Sequence, residues 1–313
     1  MDLDRPFRNA DALEYGALAR HHLTDGTYRP LFPEVSVRAD RTVTMAMRAA
    51  GAVLLRPGAV VGGLAALAVW DVDVAAPDTT VDLFLGRSTW RAVPGVRVHR
   101  VTVPETEVTV VRRVRVTSPA RTALDLARGL PRGEAAVVLD ALLAATDTDV
   151  ADVRGVAERH PGERGVAAVA AVLGWVDPRS PSPRASRLRV GLLARGLEVP
   201  LVAQRLLDGE GRLVAELSLA WPGVRLGIAH RAGVRAAAAA VGWEVLEVQE
   251  DVAEQWGLRK SPAPLDGLAA RLERTADRWD PPPRVGGRRA GRMPRPPLPD
   301  GECDGGLSRL VPA

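Results

Sequence analysis

Residues 213–233 read LVAELSLAWPGVRLGIAHRAG, a stretch in which two apolar segments flank the turn sequence Trp-Pro-Gly. The pattern predicts strands at 212–220 and 224–229. Upstream, DGEG at 208–211 is a strong hairpin signal that joins 212–220 to a further strand at 199–207. The stretch therefore predicts a three-stranded meander.

A helix on each side extends this unit. The sequence RASRLRVGLLARGL at 184–197 predicts a helix before the meander, and the Ala-rich segment 231–241 predicts one after it. The strand WEVLEV follows at 243–248. The order helix, three-strand meander, helix, strand predicts an α/β domain over 184–280, which ends with helical stretches at 249–257 and 264–279.

The chain before this domain has a different succession of predicted elements. Three prolines within 177–183 predict a Pro/Ser linker, and residues 1–176 alternate helical with strand patterns. This N-terminal region is predicted to be an α+β domain. Its predicted helices are 10–23, 42–55, 58–71, 120–130, 132–145, 149–159 and 163–175. Its predicted strands are a pair of short strands within 28–38, and single strands at 79–86, 95–103 and 107–117.

Composition limits the class of protein. Of 313 residues, 46% are hydrophobic and 26% charged, which is typical of a folded globular chain. No apolar run reaches the roughly 18 residues of a membrane helix, and the acidic N-terminal residues are unlike a signal peptide. Cys303 is the only cysteine, which excludes an internal disulfide framework and fits a cytoplasmic protein. The tail 281–313, with 8 Pro and 6 Gly, is predicted to be disordered.

The predicted order of elements and the sequence motifs of residues 180–248 resemble the very-short-patch-repair (Vsr-like) branch of the PD-(D/E)xK endonuclease fold. The residues that carry the resemblance are SPSPRASRLRVGLLARGL at 180–197, LVAELSLAWPGVRLGIAHRAG at 213–233 and AAAAAVGWEVLEV at 236–248. The resemblance implies a restriction-endonuclease-like core. The N-terminal region resembles the AbiEi-family antitoxin region through YRPLFPEVSV at 28–37, GVRVHR at 95–100 and RVTSPARTALDLA at 115–127.

The endonuclease resemblance implies a metal-dependent nuclease, but the expected carboxylates are missing. Its ligand positions fall on Ala185, Ser218 and Ala229, none of which offers an anionic oxygen for Mg²⁺. Glu216, two residues from Ser218, is predicted to lie on the same sheet face and cannot form a metal site alone. We therefore expect no catalytic residues, no metal and no cofactor, as in a pseudoenzyme.

Other residues allow a second interpretation. Ser218 lies in one predicted strand and His230 directly follows the neighbouring one, so adjacent strands can bring them together as candidates for nucleophilic catalysis. The alternative is that they merely replace an aspartate and a tyrosine. His21, His22 and His160 lack metal-ligand spacing and are interpreted as solvated surface histidines.

The segment 87–121 has a local balance of +6, from eight arginines and two glutamates. It predicts an arginine-rich hairpin that contacts nucleic acid, the candidate residues being Arg97, Arg100, Arg112 and Arg113. The alternative is a hairpin with a solvated charged face that discourages aggregation. Arg121 and Asp125 are spaced to pair on one helix.

These observations predict a cytoplasmic, non-catalytic binding protein. Its expected partner is either a protein, which the antitoxin resemblance implies to be a toxin, or DNA, and no membrane partner is expected. Two alternatives stay open, a metal-dependent endonuclease with rearranged ligands and a decaying gene product without selected activity.

Overall fold

The computed structural model describes residues 2–74, 76, 78–248 and 270. The predicted helices 249–257 and 264–279 and the tail 281–313 therefore lie outside the described residues, apart from Ala270. Within the described part, the chain is a mixed α/β protein with three separate sheets. No helix of that part is long and apolar enough to cross a membrane.

The first sheet is small. It contains β1 (Phe7–Arg8), β2 (Tyr28–Phe32) and β3 (Val35–Arg38) in the order β1-β3-β2. The predicted helix 10–23 is wrong in length, since α1 (Asn9–Glu14) ends early and residues Arg20–Leu23 form a separate 3-10 turn. Gly16, with φ +64, provides the left-handed backbone that separates the two.

The second sheet has five strands in the order β6-β5-β4-β8-β7. The helices α2 (Met45–Leu55) and α3 (Gly63–Val69) pack on it through an apolar cluster that includes Ala49, Ala66 and Val116. The strands are β4 (Val60–Gly62), β5 (Val81–Phe84), β6 (Val96–His99), β7 (Val108–Val111) and β8 (Val114–Thr117).

The predicted helix 58–71 is confirmed only in its second half, which is α3, because its first half forms the central strand β4. Val60 and Val61 are β-branched and pair with β5, and Val61 also pairs with Val116 of β8. Gly63 has φ +58 where the strand turns into α3. Gly62 is needed for packing, since a Cβ there would lie 2.1 Å from the Phe84 ring. The close approach of the Phe84 ring to the backbone at Gly62 therefore favours a strand here, in spite of the helical pattern of the sequence.

The predicted arginine-rich hairpin is also wrong. β7 and β8 do form a hairpin, with Arg112 and Arg113 at its turn in left-handed conformations. β6, however, pairs in parallel with β5 at the opposite edge of the sheet. Four strand spacings, or about 19 Å, separate the two edge strands.

A helical layer follows this sheet, as the sequence predicts. Its members are α4 (Pro119–Gly129), α5 (Arg132–Ala144), α6 (Val150–Arg159) and α7 (Val166–Leu173). The Ser118 hydroxyl accepts a hydrogen bond from the Arg121 backbone N–H and caps α4, and Pro119 occupies the first turn. Leu124, Leu139 and Val153 meet in the core of this layer.

The third sheet confirms the predicted order of helix, meander, helix and strand. Strands β9 (Leu201–Leu207), β10 (Leu213–Trp221) and β11 (Leu226–Ala229) are antiparallel, and β12 (Glu244–Glu247) is parallel to β11. Helix α8 (Pro183–Leu193) packs through Leu188 and Leu192. Helix α9 (Val234–Ala240) packs separately through Ala238.

A buried ion pair crosses the predicted linker 177–183. Arg189 of α8 donates to Asp140 of α5 at 2.6 Å, and both side chains are at most 3% exposed. Arg189 also donates to the Trp175 carbonyl oxygen at 2.5 Å. Val190 packs against Ala136 and Val137 beside this pair. Helix α8 therefore contacts the N-terminal region as well as its own sheet.

Candidate functional site

The three positions that the endonuclease resemblance assigns to metal ligands carry no carboxylate. Ala185 and Ala229 are buried, at the start of α8 and the end of β11. Ser218 of β10 is half-buried. The Leu219–Ile228 register pair places 218 beside 229 when it is continued by one residue. The strands bring these positions together, but their side chains cannot form the expected carboxylate set.

At Ser218 the alternation of side chains between the two faces of β10 is interrupted. Leu219 packs with Leu188 of α8, whereas Leu217 packs with Ala238 of α9. In a regular strand, residues 217 and 219 would point to the same face. The neighbouring strand β9 carries a matching irregularity at Ala203, with φ +53. The prediction that Glu216 and Ser218 share one sheet face assumed a regular strand, and β10 is not regular at Ser218.

Ser218 and His230 are in direct contact. The Ser218 Oγ lies 2.8 Å from the His230 Nδ1, a hydrogen-bond distance. The sequence-based expectation that neighbouring strands bring these two side chains together is confirmed. The interpretation as a nucleophile and its base stays a prediction, because a hydrogen bond alone does not distinguish catalysis from a structural pair.

His230 lines three adjoining open clefts, of about 640, 550 and 260 Å³. We call them together the His230 cleft. Four arginines line it, namely Arg184, Arg187, Arg231 and Arg235, and so do the acidic residues Asp73, Glu216 and Glu247. The Glu247 carboxylate already accepts the Arg235 backbone N–H at 2.9 Å.

The start of α8 adds to the positive character of the His230 cleft. Ser182 and Pro183 line the cleft at this end of the helix, where the helix dipole is positive. Arg184 and Arg187 are in the first turns of the same helix. Within the described part of the chain, no carboxylate forms an ion pair with Arg187, Arg231 or Arg235. The arrangement suits an anionic group.

A cluster of possible metal ligands lies elsewhere. His21, His22 and Asp25 place one ligand atom each within 4.8 Å of one another, the only such group of three or more among the described residues. The expectation that His21 and His22 lack metal-ligand spacing is therefore wrong, although His21 is exposed at the surface as predicted. The His22 Nδ1, however, accepts the Ala19 backbone N–H at 3.1 Å, which leaves the proton of the neutral ring on Nε2. His22 is thus poorly prepared to bind a metal ion.

The four arginines proposed for nucleic-acid contact divide between two edges of the five-stranded sheet. Arg97 and Arg100 lie at β6, and Arg112 and Arg113 at the β7–β8 turn. Arg112 makes a two-fold contact with Asp71, at 2.7 and 2.5 Å. The four side chains therefore do not form one surface.

A buried ionic network in the N-terminal region was missed by reasoning from sequence. Arg121, 1% exposed, donates to Glu107 at 2.7 Å and to Asp125 at 2.9 Å. The second contact is the predicted helical pair. His160 bonds Glu107 at 2.9 Å, and its other nitrogen bonds Glu163 at 2.7 Å. The prediction that His160 is a solvated surface residue is wrong, since its side chain is only 12% exposed.

The electrostatics of this network favour the charged carboxylates. Burial by itself raises the pKa of the Glu107 carboxyl, but hydrogen bonds from Arg121 and His160 outweigh it and hold that pKa below its usual value. The pKa of Glu163 is lowered in the same way, because Arg128 and His160 outweigh its burial. The network therefore has the character of a structural anchor.

Comparison with known proteins finds distant relatives of this chain. Two uncharacterized proteins, from two strains of Mycobacterium tuberculosis, are each 28% identical to this chain over 176 residues. The match covers 52% of this chain and 62% of each relative's length. No family model matches the chain.

Proposed function

We propose that this protein binds DNA at the His230 cleft without cleaving it. The observation that carries the proposal is that this site lacks the expected carboxylates and is lined by arginines. Where the endonuclease resemblance requires carboxylates, the chain has Ala185, Ser218 and Ala229, and arginines line the surrounding cleft. The four arginines of the cleft outnumber its three acidic residues, and this balance attracts phosphate and disfavours a divalent cation.

The geometry supports phosphate binding through several weak contributions. Arginine presents a planar fork that matches two phosphate oxygens. The Ser218 hydroxyl and the His230 ring supply polar contacts at the centre, and the start of α8 adds a positive dipole. The openness of all three clefts suits a polymer backbone that passes across the surface. The location expected from the single cysteine, the cytoplasm, is where such a protein meets chromosomal DNA.

The absence of hydrolysis in this proposal has a chemical reason. Metal-assisted cleavage of a phosphodiester needs an activated water and stabilisation of the developing charge. Glu216 is exposed and is the only carboxylate close to Ser218 along β10. Glu216 beside four arginines provides a weak metal site, because Mg²⁺ keeps its waters unless several hard oxygens replace them. Of the other two acidic residues of the cleft, Asp73 and Glu247, the second already accepts the Arg235 backbone N–H.

The test compares two triple variants of the full chain. The first changes Arg187, Arg231 and Arg235 to Gln, and the matched control changes Arg20, Arg154 and Arg164, three exposed arginines outside the cleft, to Gln. Binding of a fluorescent 20-base-pair duplex is measured by anisotropy over a range of salt concentrations in EDTA. Each lost phosphate contact is expected to reduce the log–log salt slope by about 0.9. Equal slopes for both variants would exclude the His230 cleft as the DNA site.

A further inference from the structure

The outer edge of β6 is an open strand edge surrounded by arginines. Residues 83–104 contain four arginines and no acidic residue. These residues, Arg87, Arg91, Arg97 and Arg100, are all exposed. We call this surface the β6 edge patch. Among the described residues, the acidic side chain in contact with this patch is Asp82, which bonds His99 at 2.7 Å and lies 3.5 Å from Arg97.

Among the described residues, the backbone of β6 is paired with a strand on one side only. β5 is its neighbour, and the carbonyl oxygens of Gly95, His99 and Val101 accept hydrogen bonds from the β5 side. Because successive peptide groups of a strand point in opposite directions, the N–H and C=O groups of Val98 point away from β5. In the described sheet no further strand follows β6. The edge is therefore available to another strand.

The arginines flank this edge on both faces of the sheet. Val96 packs into the apolar core on the α2 side, and Arg100, four residues later, bonds the Ser88 carbonyl oxygen on that side at 3.3 Å. Arg97 points to the opposite face, beside Asp82. Cations above and below one strand edge match a partner strand whose side chains also alternate between the two faces.

We infer that the β6 edge patch binds an extended acidic segment of a partner protein by strand addition. A peptide strand supplies N–H donors for the outward carbonyls of β6 and carbonyls for its N–H groups, and its acidic side chains meet the arginines. Phosphate oxygens cannot pair with the carbonyls, so duplex DNA fits this edge less well. The chain's own tail does not fit either, since 281–313 carries six arginines and three acidic residues.

The probe is a fluorescein-labelled ten-residue peptide built from Glu-Glu-Val repeats, titrated into the full chain and followed by anisotropy. Its control is the same peptide with alternate backbone nitrogens methylated, which keeps the charge but removes ladder donors. We expect the methylated peptide to bind at least about tenfold more weakly. Equal binding of both peptides would show a purely electrostatic contact and overturn strand addition.

Variants locate the surface. Changing Arg97 and Arg100 to Gln is expected to weaken peptide binding at least about tenfold, whereas the matched change of Arg112 and Arg113 at the opposite edge leaves it unaltered. Val98→Pro removes only an outward N–H, which an edge strand tolerates, and also weakens binding. Equal loss in both arginine pairs, or displacement of the peptide by duplex DNA at the same site, overturns the proposal. If Val98→Pro does not fold, the comparison of the methylated with the unmethylated peptide still tests strand addition.

Discussion

Two groups of arginine and histidine residues in this molecule have opposite environments. In the N-terminal region, Arg121 and His160 contact carboxylates directly, and Arg121 and Glu107 are at most 2% exposed. In the His230 cleft, Arg231 and Arg235 are exposed and line an open surface. Arg121 and His160 therefore serve stability within ion pairs, whereas Arg231 and Arg235 form no ion pair with a described carboxylate and, in our proposal, contact a ligand.

The largest expected effect comes from breaking the buried network. Arg121→Met leaves the Glu107 carboxylate buried without its main partner, and removal of one member of a buried pair costs about 3–5 kcal/mol. We expect the free energy of unfolding, measured by urea denaturation, to fall by this amount. Arg112→Met is the control, because its pair with Asp71 is exposed and worth at most about 1 kcal/mol. Similar losses in both variants would contradict the structural role of the network.

A smaller loss is expected at the ion pair that crosses the linker. Arg189→Met leaves Asp140 buried without its cationic partner, and burial raises the pKa of this carboxyl, which favours its neutral form. An unsatisfied buried polar group costs about 1–3 kcal/mol. Urea denaturation with probes in both regions checks this value. A variant in which 184–248 alone loses structure would show that α8 contributes little to the N-terminal region.

The pH dependence of stability sharpens the comparison. The pKa values of Glu107 and Glu163 are lowered in the folded state, so their contribution is present above the ordinary glutamate pKa of about 4.3 and is lost as the pH falls through the folded-state pKa. Glu163→Gln should therefore be less stable than wild type at pH 6 and approach it at pH 3. A constant difference between the two proteins across this range would contradict the role of the Glu163 charge.

The smallest expected change concerns the ligand. Ser218→Asp places a carboxylate among the arginines of the His230 cleft, where it repels phosphate. We expect duplex binding in EDTA to weaken by about tenfold, equivalent to about 1.4 kcal/mol. Ser218→Ala, which removes only a hydroxyl, serves as the control and should have a smaller effect. Stronger binding by Ser218→Asp would contradict the proposed anionic ligand.

Local patterns were predictable and distant pairings were not. The helix after Ser118-Pro119 and the hairpin at 208–211 follow from capping and turn residues close in sequence. The Arg121–Asp125 contact follows from helical spacing. Glu107 and His160, in contrast, are 53 residues apart, and no local signal relates them.

The error at β6 has the same origin. The strands 95–103 and 107–117 are consecutive, and consecutive strands commonly pair, which favours a hairpin. In the structure, β4 and β5 stand between β6 and the β7–β8 hairpin. The sequence of β4 lies within a segment that has a helical pattern. Neither this apolar strand nor its place at the centre of the sheet could therefore be predicted from the sequence. The division of the arginines into two surfaces depends on that one strand.

The central claim, that the His230 cleft binds DNA and does not cleave it, is tested most directly on supercoiled plasmid. The full chain is incubated with plasmid in Mg²⁺, in Mn²⁺ and in EDTA, and samples are run on agarose with and without removal of the protein. The account predicts retarded plasmid under all three conditions and unchanged supercoiled DNA once the protein is removed. Nicked circles that require a metal ion, and that disappear in Glu216→Ala, would contradict it by showing that a carboxylate elsewhere on β10 has restored the nuclease site.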